Sequence, residues 1–222
     1  MNLYLNETSP FSRVALITAV MSGNSDFQLV WVDPWSSPAE LKQVNAFCMI
    51  PALELENGIN VVESFAICQF LVAKFKPKTI QLPQLENEVE ASLMGLSKTL
   101  MEVGFKSVAL GRFIEQPNEL SSRAVQGLEL ALLKLNQQLD GQYRNLAMQP
   151  TLATLYLHCA LDYIAFRHSA IFERCAQQPI KAFMHNSPFA KHLKKVSLDA
   201  LATQPVFKDL LIKDSRLKAR LD

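Results

Sequence analysis

The sequence IPALELENGINVVESFAI, residues 50–67, predicts a β-hairpin that leads directly into a helix. Two runs with strand-like composition, 52–56 and 59–62, flank Asn57-Gly58, and Asn-Gly between two such runs is the strongest short-range signal for a hairpin. The next segment, from Ser64 to Phe75, has the apolar spacing of a helix with one buried face. This stretch therefore predicts two antiparallel strands with a helix packed against them.

The chain before this hairpin alternates between strand and helix signals. Residues 3–5 start a short strand, residues 12–22 have helical spacing, and residues 27–32 form an apolar run rich in β-branched and aromatic side chains. Strand, helix and strand in this order imply a parallel pair joined by a right-handed crossover. Together with the hairpin, they predict an α/β domain with a mixed sheet and helices packed on it.

The second part of the chain carries helical signals and no strand signals. Residues 77–84, with a proline near each end, form a linker. Beyond it, residues 151–166 are apolar nearly all round, and residues 121–140 carry one apolar stripe, made by Val125, Leu128, Leu132, Leu135 and Leu139. Shorter helices are expected in 188–201 and after Pro205. We therefore predict an N-terminal domain at 1–76, a linker at 77–84 and an all-helical bundle domain at 85–222.

The composition excludes several classes of protein. A formal net charge of +1 gives no electrostatic footprint for nucleic acid or a membrane surface, and no apolar stretch approaches the roughly 18 residues of a membrane span. The N-terminus lacks the basic region and cleavage site of a secretory signal. No metal-binding spacing and no Cys-x-x-Cys pair occurs among the four cysteines, Cys48, Cys68, Cys159 and Cys175. These features predict a cytoplasmic protein with buried, reduced thiols.

Four segments follow one another at characteristic spacing. They are Thr8-Ser9-Pro10-Phe11-Ser12-Arg13, the segment from Asn45 to Ile50-Pro51-Ala52-Leu53, the turn Glu63-Ser64-Phe65-Ala66-Ile67, and the helix from Thr151 to Arg167. Together they resemble the glutathione transferase family, in particular its bacterial-type, serine-containing members. The resemblance spans essentially the whole chain. It implies a thioredoxin-like N-terminal domain, an all-helical C-terminal domain, a twofold homodimer, glutathione as co-substrate and no metal.

Ser9 is the candidate catalytic residue that the resemblance implies. It follows the first strand, where its hydroxyl could donate a hydrogen bond to the glutathione thiolate, the nucleophilic form of the thiol. A hydrogen bond to a charged group contributes about 1.5–3 kcal/mol, which lowers a thiol pKa by roughly one to two. Ser12 and Thr8 are the alternatives, and Tyr4 is a poorer candidate because it lies inside the strand. Ser9 could instead serve only as the cap of a helix entered through Pro10.

The resemblance also implies a set of glutathione-binding residues. The Ile50–Pro51 bond would be cis and would turn the backbone of Ile50 toward the cysteinyl part of glutathione; the alternative is a trans proline that starts an edge strand. The γ-glutamyl carboxylate would bind the N–H and hydroxyl of Ser64 at a helix N-terminus, and Glu63 could pair with the ammonium group. Ser64 could also be a plain N-cap.

Three positions depart from the family pattern. Cys48 stands where the family usually has glycine, and Met49 stands where it usually has a basic residue that often helps to hold a glutathione carboxylate. The loss of that cation would weaken glutathione binding. The helix of residues 151–166 has Thr154 where the family usually has aspartate, so its capping box lacks the acidic partner, at a cost on the order of 1 kcal/mol.

Conjugation of glutathione to an electrophilic small molecule is the leading functional hypothesis. The alternatives are a non-catalytic binding or regulatory protein of the same fold, and an isomerase or hydrolytic dehalogenase that uses the same thiolate. In the family the second substrate lies against the first helix of the helical domain. Met94, Met101 and Phe105, spaced seven and four apart, could line that wall or could simply be core residues.

Overall fold

The computed structural model describes residues 1–114, 116 and 118–211. Its first part contains strands β1 to β4 and helices α1 to α3, in the order β1 (Asn2–Leu5), α1 (Pro10–Met21), β2 (Gln28–Trp31), α2 (Ala39–Val44), β3 (Ala52–Glu54), β4 (Asn60–Val62) and α3 (Ser64–Phe75). A 3₁₀ turn at Pro34–Ser36 connects β2 to α2. α1 begins earlier than predicted because Pro10 occupies its first turn, where the fixed φ and the missing N–H carry no penalty.

The four strands form one mixed sheet in the order β2-β1-β3-β4. β1 runs parallel to β2, and β3 runs antiparallel to both β1 and β4. Gly58 closes the hairpin with φ 79°, a left-handed conformation that glycine adopts without a steric penalty. The predicted parallel crossover and hairpin are therefore confirmed, and the domain is a thioredoxin-like α/β domain.

The second part of the chain is helical. Its elements are α4 (Glu88–Leu110), α5 (Glu119–Asp140), α6 (Leu152–Arg167), α7 (Ser169–Cys175), α8 (Gln178–Asn186), α9 (Ala190–Lys195), α10 (Leu198–Leu201) and α11 (Phe207–Leu210). α6 is buried on nearly every face and packs along α4, as its continuous apolar sequence predicts. Within the described residues, no helix combines the length and hydrophobicity that crossing a membrane requires.

One detail of the predicted helices differs from the structure. The four leucines of the predicted stripe on α5 are buried, but Val125 is 37% exposed, because it lies in the early part of the helix, which packs less closely. The short helices expected in 188–201 are α9, which ends at Lys195, and α10, which Ser197 caps by accepting the N–H of Ala200. Residues 212–222 of the predicted helical domain lie outside the described residues.

The N-terminus of α6 carries two threonines and lacks the aspartate of the family pattern. Thr151 caps the helix, because its Oγ1 accepts the N–H of Thr154 at 3.4 Å. Thr154 is fully buried, and its hydroxyl lies within hydrogen-bond distance of both Thr151 Oγ1 (3.3 Å) and the carbonyl of Leu146 (3.4 Å). A neutral hydroxyl is compatible with this buried position, whereas an ionised carboxylate would lose its hydration there.

The two parts of the chain share one core. The segment predicted as a linker is tightly held: Ile80 is fully buried, and Gln81 pairs through its backbone with Pro150 and Leu152 at the start of α6. Arg13 on α1 forms an ion pair with Asp162 on α6, with Nη2 and Oδ2 3.0 Å apart. These contacts fix the α/β domain against the central helix of the second domain.

Three of the four cysteines have the predicted burial. All four are free thiols; Cys68, Cys159 and Cys175 are buried, whereas Cys48 is only half-buried. Burial raises the pKa of Cys68 to about 12, although the Thr18 hydroxyl donates to its sulfur at 3.4 Å. A thiol with such a pKa remains protonated and is a poor nucleophile.

Candidate functional site

Four turns of the chain meet along one edge of the sheet. In the ladder, Leu5 at the end of β1 lies opposite Trp31 at the end of β2. Tyr4 lies opposite Ala52 at the start of β3, and Ala52 lies opposite Val62 at the end of β4. The segments that follow β1, β2 and β4 and the segment that precedes β3 therefore share this edge. They include the predicted catalytic residue Ser9 and the four predicted glutathione-binding residues, Ile50, Pro51, Glu63 and Ser64.

Ser9 is held by hydrogen bonds on both sides of the turn after β1. Asn6 Oδ1 accepts the N–H groups of Thr8 (3.2 Å) and Ser9 (2.8 Å), and Ser9 Oγ caps α1 by accepting the N–H of Ser12 at 3.2 Å. Because this oxygen acts as an acceptor in the cap, its own O–H remains available as a donor. No described residue accepts that proton. One geometry can thus accommodate both the capping role and the donor role considered for Ser9.

The alternatives to Ser9 differ from it in their surroundings. Ser12 is fully buried, and its Oγ has no hydrogen-bond partner among the described residues. Thr8 is partly exposed, and Ser9 has a relative solvent accessibility of 8%. Tyr4 donates its hydroxyl to Glu54 at 3.3 Å, within the sheet. A ligand at the sheet edge could therefore reach Ser9 or Thr8, but Ser12 is closed off from it.

The segment before β3 contains the predicted cis peptide bond, Ile50–Pro51. Asn45 shapes the loop that leads to it: Nδ2 donates to the carbonyl of Met49 at 2.8 Å, and Oδ1 accepts the N–H of Phe47 at 3.1 Å. Outside the sheet ladder, neither the N–H nor the C=O of Ile50 is hydrogen-bonded to another described residue. Both groups are available to the backbone of an extended ligand.

Cys48, in the same loop, has a backbone conformation that favours glycine. Its φ is 51°, in the left-handed region, and its N–H donates to the carbonyl of Asn45 at 2.8 Å. Its Sγ lies 3.8 Å from the carbonyl of Pro34, so this loop contacts the turn after β2. The side chain of Met49 is 61% exposed. The loop thus presents an uncharged thioether where the family pattern has a basic residue.

Glu63, rather than Ser64, caps α3. Its Oε2 accepts the N–H groups of Phe65 (3.0 Å) and Ala66 (3.1 Å), and its Oε1 lies 3.0 Å from Nζ of Lys98 on α4. Burial acts to raise the pKa of Glu63, but the hydrogen bond and charge of Lys98 and the two N–H groups together lower it below its ordinary value. The interpretation of Ser64 as a plain N-cap is therefore wrong, because Ser64 is the first residue of the helix itself.

Ser64 belongs to a hydrogen-bonded chain that reaches into the helical domain. The Tyr156 hydroxyl donates to Ser64 Oγ at 2.8 Å, and Ser64 Oγ donates to Glu63 Oε1 at 3.2 Å. Burial raises the pKa of Tyr156 well above its ordinary value, so the phenol remains a donor. The N–H of Ser64 has no partner among the described residues. At this helix N-terminus, a ligand carboxylate would meet that free N–H, since Glu63 already occupies the next two.

One face of α4 runs across the whole edge of the sheet. Lys98 contacts Glu63 beside β4, and the ring of Phe105 packs edge-on against Phe11 with centroids 5.6 Å apart. Seven residues further, the guanidinium of Arg112, just after α4, lies 4.7 Å from the ring centroid of Trp35 in the turn after β2. A spacing of seven keeps these side chains on one side of a helix. Together they form the outer wall of the site.

The wall differs from the one predicted. Met94 is 5% exposed and Met101 is fully buried, and both belong to the shared core. Of the three predicted wall residues, Phe105 contacts a segment of the sheet edge, through its ring against Phe11. Sequence reasoning missed Lys98, Arg112 and Trp35. The seven-residue spacing of Lys98, Phe105 and Arg112 is the signal that could have found the first two.

The polar groups of the site suit an organic ligand better than a metal ion. They comprise hydroxyls, free backbone groups, one carboxylate and two cations, at the positions described above. Within residues 1–114, 116 and 118–211, no group of three or more His, Cys, Asp or Glu side chains could hold a metal ion. The arrangement can orient an extended, zwitterionic molecule and donate a hydrogen bond at the position of Ser9.

The comparison with known proteins identifies the first domain. Residues 8–74 match the family model described as glutathione S-transferase, N-terminal domain. A comparison with curated proteins found no match in sequence.

Solved structures share the fold along both domains. A glutathione S-transferase from Methylobacillus flagellatus KT, solved with GSH bound, is 19% identical with a TM-score of 0.69, covering 96% of this chain and 99% of that chain. Gtt2 from Saccharomyces cerevisiae is 20% identical with a TM-score of 0.68, covering 87% and 100%. A glutathione transferase family member from Pseudomonas fluorescens Pf-5, solved with bound glutathione, is 21% identical with a TM-score of 0.62, covering 82% and 97%. Residues 8–74 thus match the N-terminal domain of glutathione S-transferases, and the chain as a whole shares the fold of these solved structures.

Proposed function

We propose that the protein binds glutathione along this sheet edge and transfers the glutathione thiolate to an electrophilic small molecule. The observation that carries the proposal is the state of Ser9: its oxygen accepts the N–H of Ser12, which leaves the hydroxyl proton free for a thiolate. Structural relatives that contain bound glutathione support the choice of ligand. The enzyme would be of the serine-containing type, and no metal takes part.

The binding pose follows from the free groups at the edge. The γ-glutamyl carboxylate accepts the N–H of Ser64, and the cysteinyl backbone pairs with the N–H and C=O of Ile50. The ammonium group shares the carboxylate of Glu63 with Lys98, whose Nζ lies 3.0 Å from it. Held at three points, the thiol lies next to Ser9. Such positioning lowers the entropic part of the barrier before any chemistry occurs.

The chemical step requires an ionised sulfur. The thiol proton leaves to solvent, and the Ser9 O–H donates to the resulting thiolate, which stabilises the charged form by about 1.5–3 kcal/mol. An ordinary thiol pKa near 8.5 would fall by roughly one to two, so the thiolate fraction at neutral pH rises about tenfold or more. The sulfur then forms a bond to the electrophilic carbon, and the leaving group departs with the electron pair of its bond.

We also propose the setting in which this activity operates. The cytoplasm suits the protein, since its four free cysteines persist most readily in a reducing compartment. A twofold homodimer is proposed from the family resemblance and is argued in the Discussion.

Calorimetric titration tests glutathione binding directly. We expect a saturable binding isotherm with glutathione and a rise in melting temperature at millimolar ligand. S-methylglutathione serves as the control ligand, because it keeps every backbone and carboxylate contact but cannot form a thiolate. Absence of both heat and thermal stabilisation up to millimolar glutathione would contradict the proposal.

A second candidate function is that of a non-catalytic binding protein, which the loss of glycine at Cys48 and of a cation at Met49 favours. A panel of electrophiles separates the two: conjugation consumes glutathione in proportion to product, whereas a binding protein yields saturable binding without turnover. An isomerase or hydrolytic dehalogenase would convert its substrate without net consumption of glutathione.

A further inference from the structure

The sheet edge has an unexpected cation at its β2 end. Arg112 comes from the helical domain, where it follows α4, and its guanidinium lies 4.7 Å from the centre of the Trp35 ring. The ring of Phe113 packs on the same Trp35, with centroids 5.9 Å apart. All three side chains are exposed, with Trp35 at 42% and Phe113 at 73%. We call Trp35, Arg112 and Phe113 the aromatic–arginine cluster.

We propose that Arg112, stacked on Trp35, binds the glycyl carboxylate of glutathione in place of the cation that is absent at Met49. The inference rests on the proposed function, and it names a binding residue that comes from the second domain. It also makes the ligand a bridge between the two domains.

The order of the strands gives the direction of the ligand. With the γ-glutamyl end at Ser64 beside β4 and the cysteine at Ile50 before β3, the chain of the tripeptide continues toward β1 and β2. An extended tripeptide spans about 10 Å, and three strand spacings of about 4.8 Å separate β4 from β2. Its glycyl end, with the reach of a guanidinium added, therefore falls on the β2 side of the edge.

One contact connects the loop of Met49 to the turn that carries Trp35. Cys48 Sγ lies 3.8 Å from the carbonyl of Pro34, and the next residue is Trp35. Asp33, the acidic residue nearest in sequence, is engaged in the 3₁₀ turn, where its carboxylate accepts the N–H of Trp35 at 3.0 Å. A cation at Arg112 thus lies on the side of the site from which the charge at Met49 has been lost.

The chemistry of the cluster suits a carboxylate. A stacked guanidinium uses its face for the ring, which leaves its five N–H donors in the plane for bidentate hydrogen bonds. The other cation on this side of α4, Lys98, already pairs with Glu63 at 3.0 Å. Arg112 is therefore the better placed of the two for the second carboxylate of glutathione.

Two ligands and two proteins test the proposal by calorimetry. The wild-type protein and Arg112→Gln are each titrated with glutathione and with its glycyl ethyl ester, which lacks only the charge of that carboxylate. We expect the wild type to bind glutathione roughly tenfold more tightly than the ester, and Arg112→Gln to bind both equally. Because Arg112 is exposed, we expect its substitution to leave the fold intact, and the melting temperature of the variant checks this. Adding Met49→Lys to Arg112→Gln should restore the preference for glutathione.

A spectroscopic measurement adds an independent readout. The chain contains two tryptophans, Trp31 and Trp35, so Trp31→Phe leaves Trp35 as the only one. Its emission should change on titration with glutathione and change less with the ester. An undiminished preference for glutathione in Arg112→Gln, or no preference in the wild type, would overturn the role of Arg112 while glutathione binding stands. A wild type that binds neither ligand would overturn the proposed function and this inference together.

Discussion

Ser9 and Ser12 lie only three residues apart, yet the hydroxyl of Ser9 is available to a ligand and that of Ser12 is buried. Both are serines, and either could be the activating residue on sequence grounds. In the folded chain, Ser9 lies in the turn before α1 and caps it, whereas Ser12 lies in the helix and is fully buried. The sequence predicted the pair, but burial, which depends on how α1 packs, distinguishes its members.

Ser9→Ala should lower the rate of conjugation far more than it lowers glutathione affinity. The hydroxyl acts mainly on the ionised thiol, so we expect kcat/KM to fall roughly 10- to 100-fold, which corresponds to a loss of about 1.5–3 kcal/mol. The Kd measured by calorimetry should change little. The lost cap also costs about 1 kcal/mol of stability, so the melting temperature is measured alongside.

Ser12→Ala is the matched control, since it removes the same atom from a closed position. Its turnover should stay close to that of the wild type. Unchanged turnover in Ser9→Ala would instead assign the activation to Thr8 or to backbone N–H groups.

Cys48 provides a prediction about stability. Its φ of 51° is strained for any residue with a Cβ, at a cost on the order of 1 kcal/mol. We therefore expect Cys48→Gly to have a free energy of unfolding about 1 kcal/mol higher than Cys48→Ala in urea denaturation. Both variants lack the thiol, so their difference isolates the backbone conformation.

The same pair of substitutions at Ser25, which is exposed and does not have positive φ, is the control for the flexibility of glycine. There, the glycine variant should be no more stable than the alanine variant. Equal stabilities at Cys48 would mean that the loop relaxes to another conformation when the side chain is removed.

At the scale of elements, α4 shows where pattern reasoning stops. An apolar spacing selected Met94, Met101 and Phe105, and two of the three are core residues. The side that meets the sheet edge carries Lys98, Phe105 and Arg112, one aromatic residue between two cations. On sequence alone such a mixture is indistinguishable from a solvated face, and only the packing of α4 against the other domain gives it a role.

The start of α3 shows the same limit of prediction from sequence. The sequence predicts a helix from Ser64, and the helix is there, but the reach of Glu63 to two N–H groups depends on its φ of 74°. Lys98, which completes the arrangement, is 35 residues away in the chain. A serine next to a glutamate looks like the cap by residue preference, whereas the tertiary contact favours the glutamate.

Glu63→Gln should destabilise the protein in a pH-dependent manner. The pKa of Glu63 is lowered in the folded state, so its contribution is present above the ordinary value near 4.5 and is lost as the pH falls through the folded-state pKa. Since the side chain is 52% exposed, we expect a loss of only about 1 kcal/mol at pH 7. The difference from the wild type should shrink steadily below pH 4.5. Urea denaturation at pH 7 and at lower pH measures it.

Glu86→Gln, a substitution at an exposed glutamate, controls for the general effect of one lost charge. It should change the unfolding free energy little at either pH. A difference between Glu63→Gln and the wild type that stays constant with pH would show that shape, not charge, stabilises the cap.

At the scale of the whole molecule, local signals determined most of the fold. The Asn-Gly hairpin, the change from strand to helix periodicity and the apolar α6 are each visible within a few tens of residues. The arrangement of the two domains is not, because it depends on contacts such as Arg13 with Asp162, which are 149 residues apart. The site depends on both local signals and long-range contacts. Its turns were predictable from local sequence, whereas its outer wall forms only when the second domain packs against the first.

The final prediction concerns the assembly. The surface carries exposed apolar side chains on both domains, among them Phe47 at 78% and Ile59 at 57% on the first, and Leu130 at 60% and Leu133 at 42% on α5 of the second. In the proposed twofold homodimer, the α/β domain of one subunit packs on the helical domain of the other. Because the contact is twofold, the exposed apolar side chains of each domain are buried in both subunits. The buried apolar area is therefore twice that of one domain–domain contact.

We therefore expect light scattering at micromolar concentration to give about twice the chain mass of 24.9 kDa. Phe47→Ser should shift the protein toward the monomer, because an exposed phenylalanine buried at an interface contributes about 1.5–3 kcal/mol through its apolar area. Phe113→Ser removes an equally exposed ring, 73% accessible, from the aromatic–arginine cluster and should leave the dimer intact. A wild type that scatters as a monomer would contradict the dimer. A dimer that persists in Phe47→Ser but dissociates in Phe113→Ser would move the interface from Phe47 to the aromatic–arginine cluster, and would cover the residues that we propose bind glutathione.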